Sequence, residues 1–296
     1  MSQRDMACSN QVPRVLSGRY RIERLLGAGG MGVVYRARDL LQEQLGDSQS
    51  DVALKLLGEN IALAPDGCAL LFNEYALVRQ LCHPNVLRMH NFDIDTEHHC
   101  AFIVMEHLPG PTLDRLLCER PLGLSLSELR EIALPLLDAL AHAHQRGVLH
   151  GDIKPGNVML SETGVRLFDF GLGQSEAGVL KGLAPLSRTH FGAWTPGYAA
   201  PELLAGAPLT RSADVYGAGC LLYELATGKC PLIAPCPGAL KHLPRATGPE
   251  KPRQLPPVFW RALQKALALD PAARSISIEP LREALSETKK WWHFMK

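Results

Sequence analysis

His150-Gly151-Asp152-Ile153-Lys154-Pro155-Gly156-Asn157 is followed shortly by Asp169-Phe170-Gly171. The two segments bring together two carboxylates, an ammonium and an amide. These are the groups that phosphoryl transfer needs. One carboxylate orients an attacking hydroxyl and takes its proton, while an amide oxygen and the second carboxylate hold a divalent cation against phosphate oxygens. Each tripeptide alone is common, so the reading depends on what lies on either side.

Upstream, Gly27-Ala28-Gly29-Gly30-Met31-Gly32-Val33-Val34 carries three glycines at G-x-G-x-x-G spacing between two strand-like runs. Without Cβ atoms, backbone N–H groups there can approach nucleotide phosphates. By itself the pattern fits a flexible hairpin turn equally well. A dinucleotide-binding fold needs a helix after the glycines, and this sequence offers a strand.

Val52-Ala53-Leu54-Lys55 follows, with the lysine on the strand face opposite to Val52 and Leu54. Glu74 falls in a stretch with helical spacing, and a Lys55–Glu74 pair would hold the ammonium against the α- and β-phosphates. Taken in this order and at these spacings, the segments have a chance of coincidence below about one in twenty.

The elements around them divide the chain. Short apolar runs at 20–25, 33–37, 52–57 and 101–106 read as strands of a small antiparallel sheet. Leu71, Phe72, Tyr75, Val78 and Leu81 share one face of a helix predicted over 70–82 and stopped by His83-Pro84. From about residue 109 the pattern turns helical. A stripe of Leu129, Ile132, Ala133, Leu136, Leu137, Leu140 and Ala143 starts after Ser125 and ends at Gly147. Pro135 inside it predicts a kink or a break, since an interior proline costs about 3 kcal/mol. Further helices are expected over 212–227, 258–269 and 280–288, and the eight prolines of 231–257 predict an extended loop. There is no internal repeat.

Composition narrows the classes. A chain of 296 residues with 46% hydrophobic residues can bury one large core or two smaller ones. Lys plus Arg number 31 and Asp plus Glu 30, a formal charge of +1, so no net field draws the chain to nucleic acid or to an anionic membrane. No apolar stretch has the length of a bilayer span, and residues 1–10 lack the pattern of a secretion signal, which predicts a cytoplasmic protein. Eight cysteines lie scattered without C-x-x-C pairs, which predicts small buried side chains; Cys230 and Cys236 fit no common zinc spacing.

On these motifs the chain resembles the eukaryotic-like, Hanks-type serine/threonine protein kinases of bacteria. The resemblance implies an α+β, two-lobed fold: an N-terminal extension (1–17), a kinase domain (18–288) and a tail (289–296). Within the domain it implies a sheet-rich lobe to about 105, a hinge at 106–108 and a mainly helical lobe from 109. ATP with Mg2+, or Mn2+ in its place, is the implied cofactor, and proteins bearing serine or threonine are the implied substrates. The sequence leaves the oligomeric state open.

Residue by residue, the resemblance places ATP phosphates under Gly27, Ala28, Gly29, Gly30, Met31 and Gly32, held by Lys55 against Glu74. Met105 becomes the gatekeeper, Glu106 to Leu108 the adenine-binding hinge, and Val34, Ala53 and Met159 the walls around the base. Asn157 and Asp169 hold the metal, Asp152 orients the acceptor hydroxyl, and Lys154 neutralises charge on the transferred group. Thr195, before Pro196, joins Lys154 in pointing to the serine/threonine branch. Val78, Met89, His150 and Phe170 are implied to stack as a spine, although core packing alone would explain these positions. Ala200-Pro201-Glu202 closes the segment begun at Asp169, Arg274 pairs with Glu202, and Asp214 starts a buried helix.

One position departs from the pattern. Gly151 stands where regulated relatives carry an arginine that binds phosphate on the activation segment. The departure predicts activity without phosphorylation of that segment, although Ser175, Ser187, Thr189 and Thr195 could accept phosphate. It also brings in two rivals: a small-molecule phosphotransferase of the aminoglycoside or choline type, and a non-catalytic kinase-like binding module.

Overall fold

The computed structural model describes residues 13–29, 32–58, 67–176, 194–195, 197–231 and 249–286. Gly30, Met31, Ser187, Thr189, Pro196, Cys8, Cys236, the Trp291 to Phe294 tail and most of the proline-rich stretch lie outside the described residues. The chain forms two units, Met1–Leu71 with Met89–His107, and Phe72–Arg88 with Leu108–Lys296.

The first unit is built on a six-stranded antiparallel sheet. Its strands are β1 (Val15–Leu16), β2 (Tyr20–Gly29), β3 (Gly32–Asp39), β4 (Asp51–Leu57), β5 (Met89–Asp95) and β6 (Cys100–Glu106), in the order β1-β2-β3-β4-β6-β5. Alternation decides what each face carries. Val52, Leu54 and Leu56 of β4 join Leu16, Tyr20, Ala37, Phe102 and Val104 in one buried cluster. The Tyr20 and Phe102 rings meet edge to face there at 5.8 Å. Ala53 and Lys55 therefore point to the other face. The short helix α1 (Leu40–Gln44) starts at Asp39, whose carboxylate accepts the N–H groups of Leu41 and Gln42 and a two-point contact from Arg19.

Helix α2 spans Gly67–Val78 and is shorter at its end than the predicted 70–82. Beyond Val78 the chain tightens into i→i−3 bonds, Gln80 to Leu77 and Leu81 to Val78, and so leaves the helix before His83-Pro84. Its face also differs from the prediction: Leu70, Leu71, Asn73, Glu74, Leu77 and Val78 are buried, while Phe72 is exposed.

In the second unit, α3 (Leu113–Glu119) precedes α4 (Leu126–Gln145), which opens on the capping box of Ser125 and Glu128 and buries the predicted stripe. The helix is unbroken at Pro135. The carbonyl that the missing N–H would have engaged belongs to Glu131, which is exposed, so water can satisfy it. Next come two ribbons, β7 (Val148–Leu149) paired with β10 (Gln174–Ser175) and β8 (Val158–Ser161) paired with β9 (Gly164–Leu167). The remaining helices are α5 (Pro201–Leu204), α6 (Arg211–Thr227), α7 (Pro257–Ala266) and α8 (Ile278–Ser286). Helix α6 is buried along nearly all of its length.

The cysteines depart from expectation. Among the described residues Cys220 is buried, but Cys68, Cys82 and Cys118 are exposed. Thiols are small enough to be tolerated on helix ends and turns without burial. Among the described residues no helix is long and apolar enough to cross a membrane.

Candidate active site

In the first unit, strand register gathers the predicted nucleotide residues. Val34 pairs with Lys55, and Lys55 pairs with Ile103; Ala53 pairs with Met105. Directly opposed residues of antiparallel strands share a face, so Val34, Ala53, Lys55 and Met105 line the side of the sheet away from the apolar cluster. Lys55 is only 7% exposed. Glu106 pairs with Val52 and so belongs to the opposite face.

The glycines of the β2–β3 hairpin do different jobs. A Cβ on Gly27 or Gly29 would meet nothing within 4 Å, so their backbones lie open to an approaching group. A Cβ on Gly32 would sit 2.2 Å from the Leu56 carbonyl oxygen, so this position is glycine because strand β4 passes so close. Ala28 pairs with Val33 between them.

In the second unit, the loop after β7 carries His150 to Asn157. Asp152 is the hub. Its Oδ2 lies 2.6 Å from Lys154 Nζ and accepts from Asn157 Nδ2 at 3.0 Å, while its Oδ1 accepts from Thr195 Oγ1 at 2.9 Å. Lys154 Nζ in turn donates to Thr195 Oγ1 at 2.9 Å. A hydroxyl is thus held donating to a carboxylate with an ammonium on its oxygen, the arrangement an acceptor alcohol needs when its proton is to be taken.

Asn157 Nδ2 also donates to the Asp152 backbone carbonyl at 2.8 Å, which turns the amide oxygen the other way. Phe168 N donates to Asn157 O at 3.0 Å and so fixes the chain just before Asp169. Asp169 has φ +64, an uncommon backbone conformation for a non-glycine residue and a frequent one at functional sites. An amide oxygen and a carboxylate are hard oxygen donors, and two such groups fit a magnesium-type cation that keeps waters and phosphate oxygens as its other ligands. Among the described residues there is no cluster of three or more His, Cys, Asp or Glu side chains that would hold a metal unaided.

His150 is fully buried and braces this loop. Its Nδ1 accepts the Asp152 N–H at 3.1 Å, so Nε2 carries the proton and donates to Phe168 O at 3.1 Å. Burial pushes the imidazole below its usual range, against the pull of Asp214, Asp152 and Asp169. Its ring packs on Phe170 at 4.4 Å, and Val78 is buried as well. Met89 belongs to the first unit, and Glu74, 3% exposed, to the second. Leu108, half-buried, begins the second unit's longer segment, and Met159 bridges to Thr112.

Asp214 supports the same loop from below: its Oδ1 accepts Gly151 N at 2.8 Å, and its Oδ2 accepts His150 N at 2.8 Å and His144 Nε2 at 2.9 Å. Arg274, 4% exposed, grips Glu202 with both Nη atoms at 2.6 and 3.2 Å and lies over the Tyr216 ring. Sequence reasoning missed His144 and the contact of the Tyr198 hydroxyl with Glu224. No local signal in the sequence marks either of them.

A carboxylate that accepts a hydroxyl, with an amide bonded to it and a second carboxylate further along the chain, supplies the groups that a phosphotransferase site needs. The protein kinase domain model matches residues 20–276, and the chain belongs to the protein kinase family. Members of this family use ATP together with a divalent metal ion. The chain is 35% identical over 271 residues to the serine/threonine-protein kinase PkaA of Streptomyces coelicolor, covering 88% of this chain and 48% of that protein. It is 32% identical over 286 residues to the serine/threonine-protein kinase PknA of Mycobacterium tuberculosis, covering 94% and 63%. The crystal structure of a point mutant of the Mycobacterium tuberculosis PknI kinase domain is similar with a TM-score of 0.65 at 28% identity, covering 92% of this chain and 96% of that one. The chain spans about half the length of the first two curated relatives, 48% and 51%.

Proposed function

We propose that the chain is a serine/threonine protein kinase that transfers the γ-phosphate of ATP to serine and threonine hydroxyls of proteins, through a kinase domain at 18–288. The observation that carries this reading is the contact of Asp152 with Lys154 and Thr195, in which a threonine hydroxyl already donates to the carboxylate at 2.9 Å. The described part of the Ala200 to Glu202 segment and its buried Arg274 pair favour a protein acceptor over a small molecule.

In this reading Asp152 orients the acceptor hydroxyl and takes its proton, and Lys154 offsets charge that develops on the transferred group. Asn157 and Asp169 would hold magnesium, or manganese in its place, which when bound supplies positive charge against the phosphate oxygens. The open backbones of Gly27 and Gly29, with Ala28 and Gly32, receive phosphates beside Lys55. The apolar face of Val34, Ala53 and Met105 in the first unit receives adenine. Gly151 carries no guanidinium, and activity is therefore independent of phosphate on the activation segment.

Radiolabelled ATP and a general protein substrate test the reading, with Asp152→Ala and Lys55→Met as controls. Label on the substrate with wild type and loss of nearly all of it with either variant is the expected result. Transfer only to an aminoglycoside or choline, or none at all, overturns it. Phosphatase-treated enzyme that loses activity and regains it with phosphate on the segment overturns the independence claim.

A further inference from the structure

The strand pair β7–β10 is only two residues long on each side, and it joins the two limbs of the site: Leu149 directly precedes His150, and Gln174 follows the Asp169 turn. Two residues of antiparallel pairing are marginal on their own. Something else must fix this geometry.

At the end of β10, Glu176 N donates to Gly147 O at 2.8 Å, and its carboxylate receives Arg211 at two points, Nε to Oε1 at 2.8 Å and Nη2 to Oε2 at 2.6 Å. Arg211 Nη2 also donates at 2.7 Å to His144 O, a carbonyl in the last turn of α4 that accepts Gly147 N as well, at 3.0 Å, just past the helix end. Parallel two-point contacts of this kind fix orientation as well as distance. The guanidinium holds the Glu176 carboxyl below the usual glutamate range.

Arg211 is the first residue of α6, and Asp214 lies one turn on, on the same face. Asp214 holds the Asp152 limb through the N–H groups of His150 and Gly151. A single helical turn therefore carries one anchor for each limb. The Asp152 limb lacks the arginine that would receive a phosphate, while the Asp169 limb ends on a built-in carboxylate–guanidinium contact.

We infer that Glu176 and Arg211 are a positioning pair, a permanent carboxylate latch that aligns the Asp169 limb with the Asp152 limb in place of a phosphate contact. This deepens the kinase reading and rests on it for its activity readout. Neither residue is among the groups proposed to meet substrate. Both act through the β7–β10 pairing on Asp152 and Asp169.

The test uses phosphatase-treated intact chain, myelin basic protein as acceptor, and Glu176→Gln, Arg211→Gln, the double variant and Arg211→Lys. Each glutamine variant lowers kcat by about threefold to fivefold, the range of a well-formed exposed ion pair, and leaves KM for ATP unchanged. The double variant is no worse than either single, because the two act as a unit, and Arg211→Lys recovers part of the loss. Unchanged kcat, or losses that multiply in the double variant, overturn the latch.

Amide hydrogen exchange gives a second reading that needs no activity. Exchange at Glu176 and Ser175 rises in Arg211→Gln while that in α7 and α8 stays as in wild type. Unchanged exchange at Glu176 overturns the latch whether or not the enzyme phosphorylates protein. Wild type that shows no transfer, together with raised exchange, overturns the kinase reading and leaves the latch standing.

Discussion

The Asp214 carboxylate receives the backbone N–H of Gly151 at 2.8 Å, and through it a residue on α6 fixes the main chain beside the Asp152 carboxylate. The same carboxylate takes two further donors, His150 N and His144 Nε2. Full burial pushes the Asp214 carboxyl up, but the His144 ring and the N–H donors of the loop outweigh it and hold its pKa below the usual aspartate range.

We predict that Asp214→Asn loses both stability and rate. An amide offers one acceptor oxygen, and its NH2 must face N–H donors, so at least one buried donor loses its partner. Each such loss costs about 1–3 kcal/mol. Thermal unfolding and kcat should fall together, whereas an unchanged melting point with normal turnover would refute the bracing role.

Gly151 has φ +80, a conformation that favours glycine. A Cβ there would lie 2.6 Å from Leu172 O and 3.0 Å from Leu209 Cδ2. We predict that Gly151→Ala costs about 1–3 kcal/mol in stability from backbone strain, with the crowding adding to it. For the same reason Gly151→Arg destabilises the protein rather than creating a phosphate anchor. Recovery of phosphate-dependent activation by Gly151→Arg, with a wild-type melting point, would show that the position tolerates arginine.

The candidate site groups could be picked out in sequence because each motif residue is itself the chemical group that phosphoryl transfer requires, and local spacing preserves their order. The face of α2 was not. Phe72 and Tyr75 read as apolar and inward, yet Asn73 and Glu74 are the buried ones, because polar groups with partners can outcompete rings for the interior. Of the kink or break expected at Pro135, the break does not occur, and the freed carbonyl belongs to the exposed Glu131. The contacts of His144 with Asp214 and of Arg211 with Glu176 join residues 70 and 35 positions apart, and no periodicity encodes such pairs.

Asp95 gives a prediction in pH. Burial pushes its carboxyl up, but the N–H groups of Ser17 at 2.7 Å and His98 at 2.8 Å, with the His98 ring, bring it down to about 2. A folded pKa below the unfolded value stabilises above the unfolded pKa, near 3.9, and the gain is lost as pH falls toward 2. Asp95→Asn should therefore lower the melting point at pH 5. The gap should narrow below about pH 4. A gap that widens from pH 4 downward would contradict the assignment.

Lys154 and Thr195 separate charge from placement at Asp152. Lys154 reaches both the Asp152 carboxylate at 2.6 Å and the Thr195 hydroxyl at 2.9 Å, so Lys154→Met removes positive charge where the proposed mechanism has charge develop. Loss of one such preorganised donor costs about 10²–10³ in kcat. Thr195 supplies only a hydroxyl between the two, so Thr195→Val should cost less, and Thr195→Ser, which keeps the oxygen, least of all. Initial rates at saturating ATP rank the variants as serine, then valine, then Lys154→Met. Because the proposed role of the lysine lies in the transition state, its loss should appear in kcat with KM for ATP nearly unchanged. A Lys154→Met enzyme that turns over like wild type would remove Lys154 from the chemistry and leave Asp152 to act alone.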